Sequence, residues 1–258
     1  MSGPLRAVDA GTLAPEAALA LDEAMVRVQP SEPALLLWRT SPAVVIGRFQ
    51  RADWEIAAAA CAARGVRVWR RFTGGGAVYL DSGTLCIAVV APAGHPWSAL
   101  EIPALYDPLL DGMVAACGCM GVEATRDERT VRVGGRKVTG IAAHRGRYAS
   151  LVHGTLLLDA DLDSLRACLA GPRGGDLAGA PRPSPSRPDH VANVGHVEDA
   201  AAAIVDAFGA AAGELTREEV DAAERLAGTR YRDAAWHAGH WDGVTPQDVR
   251  AVLGGRAG

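Results

Sequence analysis

Of the 26 basic residues in this chain, 25 are arginine and a single one, Lys137, is lysine. Ala, Gly, Arg and Pro abound while asparagine also occurs once, at Asn193, a skew that a GC-rich genome produces wherever arginine serves as well as lysine. A surviving lysine then marks a place where the wide planar guanidinium does not serve and a compact ammonium with three rotatable donors does; the alternative is chance survival on a surface turn. Lys137 lies in Gly134-Gly135-Arg136-Lys137-Val138-Thr139-Gly140, just after Arg126-Asp127-Glu128-Arg129. An ammonium facing a cleft from that position would bridge a carboxylate and a phosphate and offset the repulsion between two reacting anions. Asp127 and Glu128 are hard oxygen ligands of the kind Mg²⁺ takes between phosphate oxygens. The competing reading is a charged hairpin face in water, the default for Arg129 and Arg132.

A second constellation is Arg70-Arg71-Phe72-Thr73 followed by Gly74-Gly75-Gly76 and Ala77-Val78-Tyr79. Backbone without Cβ atoms approaches a ligand closely and aims several N–H groups at it, and an adjacent arginine holds a phosphate through two parallel bonds. A sharp loop between strands explains three glycines equally well. His153, ahead of Gly154-Thr155 in an apolar run, reads first as a hydrogen-bonded core histidine and second as a catalyst. His237 and His240 have helical spacing but no third metal ligand nearby, and Trp236 and Trp241 beside them suggest packing.

These residues need elements to hold them. Pro15–Val28 carries Ala18, Leu21 and Met25 at helical spacing, and Ala52–Arg64 predicts a second helix stopped by Gly65. Ala34–Trp38 and Ala43–Gly47 predict strands, Val66–Val90 short β runs around the glycine loop, and Ile102–Cys117 a helix. Val131 and Val133 alternate into Gly134-Gly135, which supplies the positive φ angles of a tight hairpin, with Val138–Ile141 on the return. Leu151–Leu158 is an apolar run, Asp161–Ala170 a helix with an acidic start, and Glu198–Ala212 and Thr216–Ala227 helices, the last opened by a Thr216/Glu219 capping box. Hairpins between helices, without regular βαβ alternation, predict an α+β fold with a mixed sheet flanked by helices. Gly171–Pro188 is too rich in Pro and Gly for a regular element and reads as an excursion, a candidate lid.

The 258 residues suffice for one large domain or one domain with a small appendage, and a net charge of −4 disfavours nucleic acid as a partner. No apolar run approaches the ~20 residues of a membrane helix and no leader pattern opens the chain, so a soluble cytoplasmic protein with no membrane partner is expected. Five irregularly spaced cysteines, without a CxxC pair, fit reduced thiols. Dinucleotide, phosphate-loop and serine-hydrolase signatures are missing.

Read together, the segments resemble the lipoate–protein ligase family, within the group that includes biotin protein ligases and octanoyl transferases. Pro42–Gln50 looks like its PxVVIGRxQ segment, Arg70–Tyr79 like RRxSGGGAVYHD, Gly135–Gly140 like GRKxSG, His153–Leu157 like HGTLL and Val191–Val194 like VxNL. The resemblance implies a catalytic domain like that of class II aminoacyl-tRNA synthetases, at residues 1–196, followed by a short helical region at 197–258. It implies ATP-dependent activation of lipoate to lipoyl-AMP and transfer to a lysine of a carrier protein, with ATP, Mg²⁺ and lipoate bound and an accessory subunit as a possible partner. Carried over, Arg71, Gly76, Ala77, Val78 and Tyr79 would contact the nucleotide, and Lys137 both ATP and lipoate. Arg48, Gly74, Gly75, Gly140, His153 and Gly154 would line the lipoate site, and Asp127 and Glu128 would hold the metal. Arg126, Arg129, Arg132 and Arg136 are candidates for carrier docking. Two departures stand out: the histidine after GGGAVY is Leu80 here, and an asparagine usual before the acidic residue is replaced in Arg126-Asp127-Glu128. An ATP-independent octanoyl or lipoyl transferase would need a cysteine upstream of the lysine turn, where Cys117 and Cys119 are the nearest. A non-catalytic binding module would keep the pocket alone.

Overall fold

The computed structural model of the protein describes residues 4–170, 186 and 189–238. The chain begins with β1 (Arg6–Leu13), α1 (Pro15–Arg27), β2 (Ala34–Thr40), β3 (Ala43–Ile46), α2 (Ala52–Glu55), α3 (Ala58–Ala63) and β4 (Arg67–Arg70). It continues through β5 (Val78–Leu80), β6 (Thr84–Pro92), α4 (Ile102–Leu105), α5 (Asp107–Cys119), β7 (Thr125–Asp127), β8 (Thr130–Val133) and β9 (Arg136–Lys137). β10 (Thr139–Arg145), β11 (Ala149–Leu157), α6 (Leu162–Cys168), α7 (Ala200–Ala207), β12 (Ala211–Ala212), α8 (Arg217–Thr229) and α9 (Ala234–Ala238) complete it.

Six strands form the main sheet in the order β10-β11-β6-β2-β1-β12, with β1 parallel to both neighbours and the other pairs antiparallel. The expected mixed α+β sheet is therefore present. β2 shows why its sequence is apolar without alternation. Leu36 and Trp38 face a cluster with Leu21 and Met25 of α1 and Tyr231 after α8, while Leu35 and Leu37 face Leu109, Leu110 and Met113 of α5 and Ile204 of α7. A strand covered by helices on both faces has no solvent side to leave polar, and each such leucine contributes about 1.5–3 kcal/mol of burial. A small sheet, β4-β3-β5, carries the glycine loop between β4 and β5, and a third, β7-β8-β9, carries the lysine hairpin.

Several expected boundaries move. The helix anticipated over Ala52–Arg64 is split, because Ile56 is extended (φ −124°, ψ 153°), buries its side chain with Val44, Ile46 and Tyr79, and is followed by Ala57 N–H bonded to the Cys168 carbonyl. Gly65 does stop α3, at φ +65°. The helix anticipated over Ile102–Cys117 divides at Tyr106, with proline in the first turn of each part. Glu198–Ala212 holds only α7. Its last two residues leave the helix and pair with Arg6 and Ala7 as an edge of the main sheet, so tertiary pairing overrides alanine's helix propensity. The segment after residue 196 therefore adds a strand to the main sheet as well as helices packed on it. The capping box of α8 forms as expected, with Glu219 Oε2 also receiving the Thr216 N–H. Residues 171–185, most of the expected lid, together with His240 and Trp241, lie outside the described residues.

Candidate active site

A cavity of about 510 Å³ opens between the main sheet, the glycine loop and the lysine hairpin. Its lining is divided by element. Leu19 of α1, Trp38 of β2, Val45 of β3, Val78 and Leu80 of β5, and Cys86 and Ile87 of β6 make one part apolar. Asp127, Arg129, Arg132, Lys137 and Asp189 make the part around β7-β8-β9 charged. Gly75, Gly76 and Ala77 border the cavity from the loop, and Gly140–Ala142 and His153–Thr155 from β10 and β11. Such a shape suits a ligand with a hydrocarbon body and an anionic head.

Lys137 sits in this cavity because Gly134 (φ +55°) and Gly135 (φ +74°) form the tight turn their sequence predicts, setting Arg132 opposite Lys137 across the ladder. Its backbone is held by the His190 carbonyl and by Ala192 N–H. No carboxylate among the described residues is bonded to its ammonium. Burial pushes the ammonium's pKa below the usual 10.5, and neighbouring Arg132 adds to that, against the pull of Asp189 and Asp127. The two aspartates are engaged by Arg132 instead, which reaches Asp189 Oδ2 and Asp127 Oδ2, both at 2.8 Å. Arg132 holds both carboxyls below their ordinary range.

The glycine loop is folded by its own arginine. Arg71 is buried and donates from Nε to Thr73 Oγ1 (2.9 Å), from one terminal nitrogen to the Val45 carbonyl (3.2 Å), and from the other to the carbonyls of Gly74 and of Gly76 (2.8 Å). Four of the five N–H donors of a guanidinium are thus spent on the loop. Arg71 is a staple for Gly74–Gly76 more than an open phosphate fork, and burial lowers its pKa to about 10. Arg70 acts likewise on the neighbouring turn, donating to the carbonyls of Gly47, Arg48 and Gln50. That turn touches the loop backbone: a Cβ on Gly47 would stand 2.1 Å from the Gly75 carbonyl oxygen.

His153 joins floor to loop. Its Nδ1 lies 2.7 Å from Asp22 Oδ2, and its Nε2 lies 2.8 Å from Thr73 Oγ1. Asp22 Oδ1 accepts the Trp38 indole N–H at 2.9 Å. Thr73 Oγ1 already accepts from Arg71, so its own hydrogen is available to Nε2, with Nδ1–H given to Asp22. The core-histidine reading is realised, since the ring is hydrogen-bonded on both sides, and the ring also borders the cavity.

Other expected positions fall elsewhere. Gly74 and Arg48 are absent from the cavity lining, and the Arg48 guanidinium lies 5.7 Å from the Phe49 ring centre. Tyr79, between two cavity residues on β5, turns its ring to the opposite side, against Val44, Ile46 and Ile56, as strand alternation requires. Gly154 borders the cavity by its backbone, and its missing Cβ makes room for Met113 Cε at 3.0 Å. Glu128 is exposed and off the cavity, while Asp127 is paired with Arg132 and with Arg129 N–H. The two do not converge as a ligand pair, and no group of three metal-binding side chains exists among the described residues. Of the expected pair, only Asp127 borders the cavity, where Arg132 holds it. His237 spends Nδ1 on Arg70 N–H and Nε2 on the Tyr231 carbonyl, a structural role.

Asp22, Trp38, Cys86, Arg129, Ser186 and Asp189 were not singled out as cavity residues by sequence reasoning. Only the apolar spacing around Asp22 hinted at anything, since a carboxylate on the buried face of α1 has to find a partner. Cys86 is the one cysteine in the cavity, and burial raises its thiol well above the usual range; Cys117 is buried on the inner face of α5 and Cys119 is exposed off the cavity. No helix among the described residues is long and apolar enough to cross a membrane.

Comparison with known proteins agrees with this geometry. Two curated relatives are each 30% identical: "Probable lipoate-protein ligase A" of Mycoplasma pneumoniae over 51% of this chain and 38% of its own length, and "Lipoate-protein ligase A subunit 1" of Thermoplasma acidophilum over 60% and 62%. The chain thus matches less than two thirds of either relative. Among solved structures, a T. acidophilum protein with bound lipoic acid has a TM-score of 0.76 at 25% identity, covering 93% of this chain and 100% of that one. A lipoate-protein ligase A bound with ATP gives 0.76 at 25% identity, covering 93% and 99%. The T. acidophilum bi-partite lipoate protein ligase, described together with its E2 lipoyl domain, gives 0.76 at 26% identity, covering 93% and 97%. The family model for the lipoyl protein ligase A/B catalytic domain matches residues 14–209, and the chain belongs to that family.

Proposed function

We propose that this chain is the catalytic subunit of an ATP-dependent lipoate–protein ligase. The observation that carries the reading is one cavity in which the sole lysine, the glycine loop and a separate apolar lining meet. The apolar part takes the hydrocarbon body of lipoate and Lys137 receives its carboxylate. Gly75 and Gly76 take the phosphates of ATP with backbone N–H groups, beside the Ala77 N–H that is given to Ser186 Oγ. With its pKa lowered by burial, the ammonium gains most from anionic neighbours, so it favours a carboxylate and a phosphate at one place. The carboxylate attacks the α-phosphorus, pyrophosphate leaves, and the mixed anhydride is kept from water by the cavity walls. An amine of the acceptor then attacks the acyl carbon, forming the amide and releasing AMP and a proton. The solved relatives with lipoic acid and with ATP support both ligands, and the bi-partite relative supports a lipoyl-carrier acceptor and a separate accessory subunit.

A transferase using a cysteine nucleophile is less well supported. Cys86, the cysteine in the cavity, is held as a thiol by burial and has no base bonded to it among the described residues, and Cys117 and Cys119 are not part of the cavity lining. The test is pyrophosphate release and hydroxylamine trapping with lipoate and ATP. Wild type should give lipoyl hydroxamate, Lys137→Ala none, and Lys137→Arg at least ~100-fold less, because a misfitted cation misplaces the reacting anions. Arg at wild-type rate, or a wild type silent with ATP, would overturn the reading.

A further inference from the structure

We propose that His237 is a positioning residue for the glycine loop, acting through Arg70 and the Gly47 turn. That the loop serves the nucleotide rests on the ligase reading above. β4 is an outer strand of the small sheet, so the backbone N–H and C=O of Arg70, which face away from β3, need partners from elsewhere in the chain. Side chains of α9 supply them: His237 Nδ1 accepts the Arg70 N–H at 3.0 Å, and the Trp236 indole N–H donates to the Arg70 carbonyl at 2.9 Å. The same helix takes hold of the guanidinium, whose Nε donates to the Trp236 carbonyl and Nη2 to the His237 carbonyl, both at 3.1 Å. Nη1 reaches the carbonyls of Gly47, Arg48 and Gln50. One fully buried arginine therefore ties α9 to the Gly47 turn, whose backbone abuts Gly75 at the cavity.

The imidazole can do this in one protonation state alone. Its Nε2 meets the Tyr231 carbonyl at 2.9 Å, and the Trp69 ring stands edge-on to it at 5.0 Å. Tyr231 is itself fully buried with its hydroxyl on Glu23 Oε2 at 2.8 Å, so the segment is anchored to α1 before it reaches β4. A carbonyl at Nε2 requires a hydrogen there, which leaves Nδ1 as the acceptor that the Arg70 N–H needs. A second proton would set one N–H against another and a cation beside the buried Arg70. Among the described residues, the charged and titratable groups facing the ring are Arg67 and Arg70 of β4 and Tyr231 and Asp233 ahead of α9. Burial, with the two arginines adding to it, holds the ring's pKa below its usual 6.5, against the Tyr231 carbonyl and Asp233. The clamp is closed above that lowered value and opens as pH falls through it.

His237→Asn keeps an amide oxygen near the Nδ1 position and has nothing to protonate. In pyrophosphate release with lipoate and ATP, it should hold kcat/KM within about threefold of wild type near pH 8 and lack the fall that wild type shows as pH drops below the ring's usual 6.5. His237→Ala, assayed well below its Tm, should lower kcat/KM about tenfold near pH 8, part of the ~100-fold that a 1 Å misplacement costs. An Asn variant whose acid limb matches wild type, or an Ala variant that loses Tm but keeps wild-type kcat/KM, would overturn the proposal and leave His237 a packing residue. If the Ala variant fails to fold, the two pH profiles decide. Amide hydrogen exchange separates this outcome from the ligase reading. The Arg48 N–H, bonded to the Thr73 carbonyl at 2.8 Å, and the Gln50 N–H, bonded to the Gly47 carbonyl at 3.1 Å, should exchange faster in wild type than in the Asn variant, by a margin that grows as pH falls. A wild type silent with lipoate and ATP refutes the ligase reading, and equal exchange at these two amides throughout overturns the clamp whatever the activity.

Discussion

Replacing Gly47 with alanine would place a methyl carbon 2.1 Å from the Gly75 carbonyl oxygen and 3.2 Å from the Gly74 carbonyl carbon. Ordinary contact begins near 3.4 Å, so the loop has to retreat by roughly 1 Å. Both clashing groups are backbone, and neither can rotate out of the way. Nor can the loop shift freely. Arg71 ties the carbonyls of Gly74 and Gly76 to that of Val45, and Arg48 N–H ties the Thr73 carbonyl to the Gly47 turn at 2.8 Å. The displacement is delivered to Gly75 and Gly76 at the cavity. A 1 Å error in a positioning element costs on the order of 100-fold in rate, or about 2.7 kcal/mol of transition-state stabilisation. Overpacking costs a further ~1–3 kcal/mol of stability. The assay is pyrophosphate release with lipoate and ATP, alongside thermal unfolding. A Gly47→Ala protein with wild-type kcat/KM and unchanged Tm would refute the claim that this contact sets the loop.

Gly118, in the last turn of α5 with nothing within 4 Å of a built Cβ, is the control: Gly118→Ala should raise stability by about 0.5 kcal/mol in urea unfolding with activity unchanged. Because burial holds Lys137 below its ordinary pKa of 10.5, the unfolded chain binds that proton more tightly than the folded one. Stability of the ligand-free protein attributable to this group should therefore rise with pH between the folded value and 10.5 while adenylation falls, and Lys137→Met should abolish that rise in a pH series of denaturant melts. His153→Leu leaves the Asp22 carboxylate, only 1% exposed, with the Trp38 N–H alone, and should cost about 2–3 kcal/mol. The cycle with Asp22→Asn should show coupling of at least ~0.5 kcal/mol, and additive effects would dissolve the pairing.

What could be read from the sequence was local. Gly134-Gly135 demands positive φ, and a residue two past a tight turn must enter the returning strand, so Lys137 was placed by its neighbours alone. The apolar run of β2, the stop at Gly65 and the Thr216 cap follow from the same short-range rules. Arg71 was legible as important but not in its role, because composition does not tell whether a guanidinium faces a ligand or its own loop carbonyls. The break at Ile56 and the departure of Ala211-Ala212 from α7 depend on partners, Cys168 and β1, that lie far along the chain. The same holds for Asp22 with His153, 131 residues apart, and Arg132 with Asp189, 57 apart. Residue types and turns are set over a few positions, whereas who meets whom across the cavity is decided by the register of β10, β11 and β6 and by the helices that cover them. The chain by itself therefore determined its chemistry-bearing residues and their local geometry, and only the packed sheet decided which of them share one cavity.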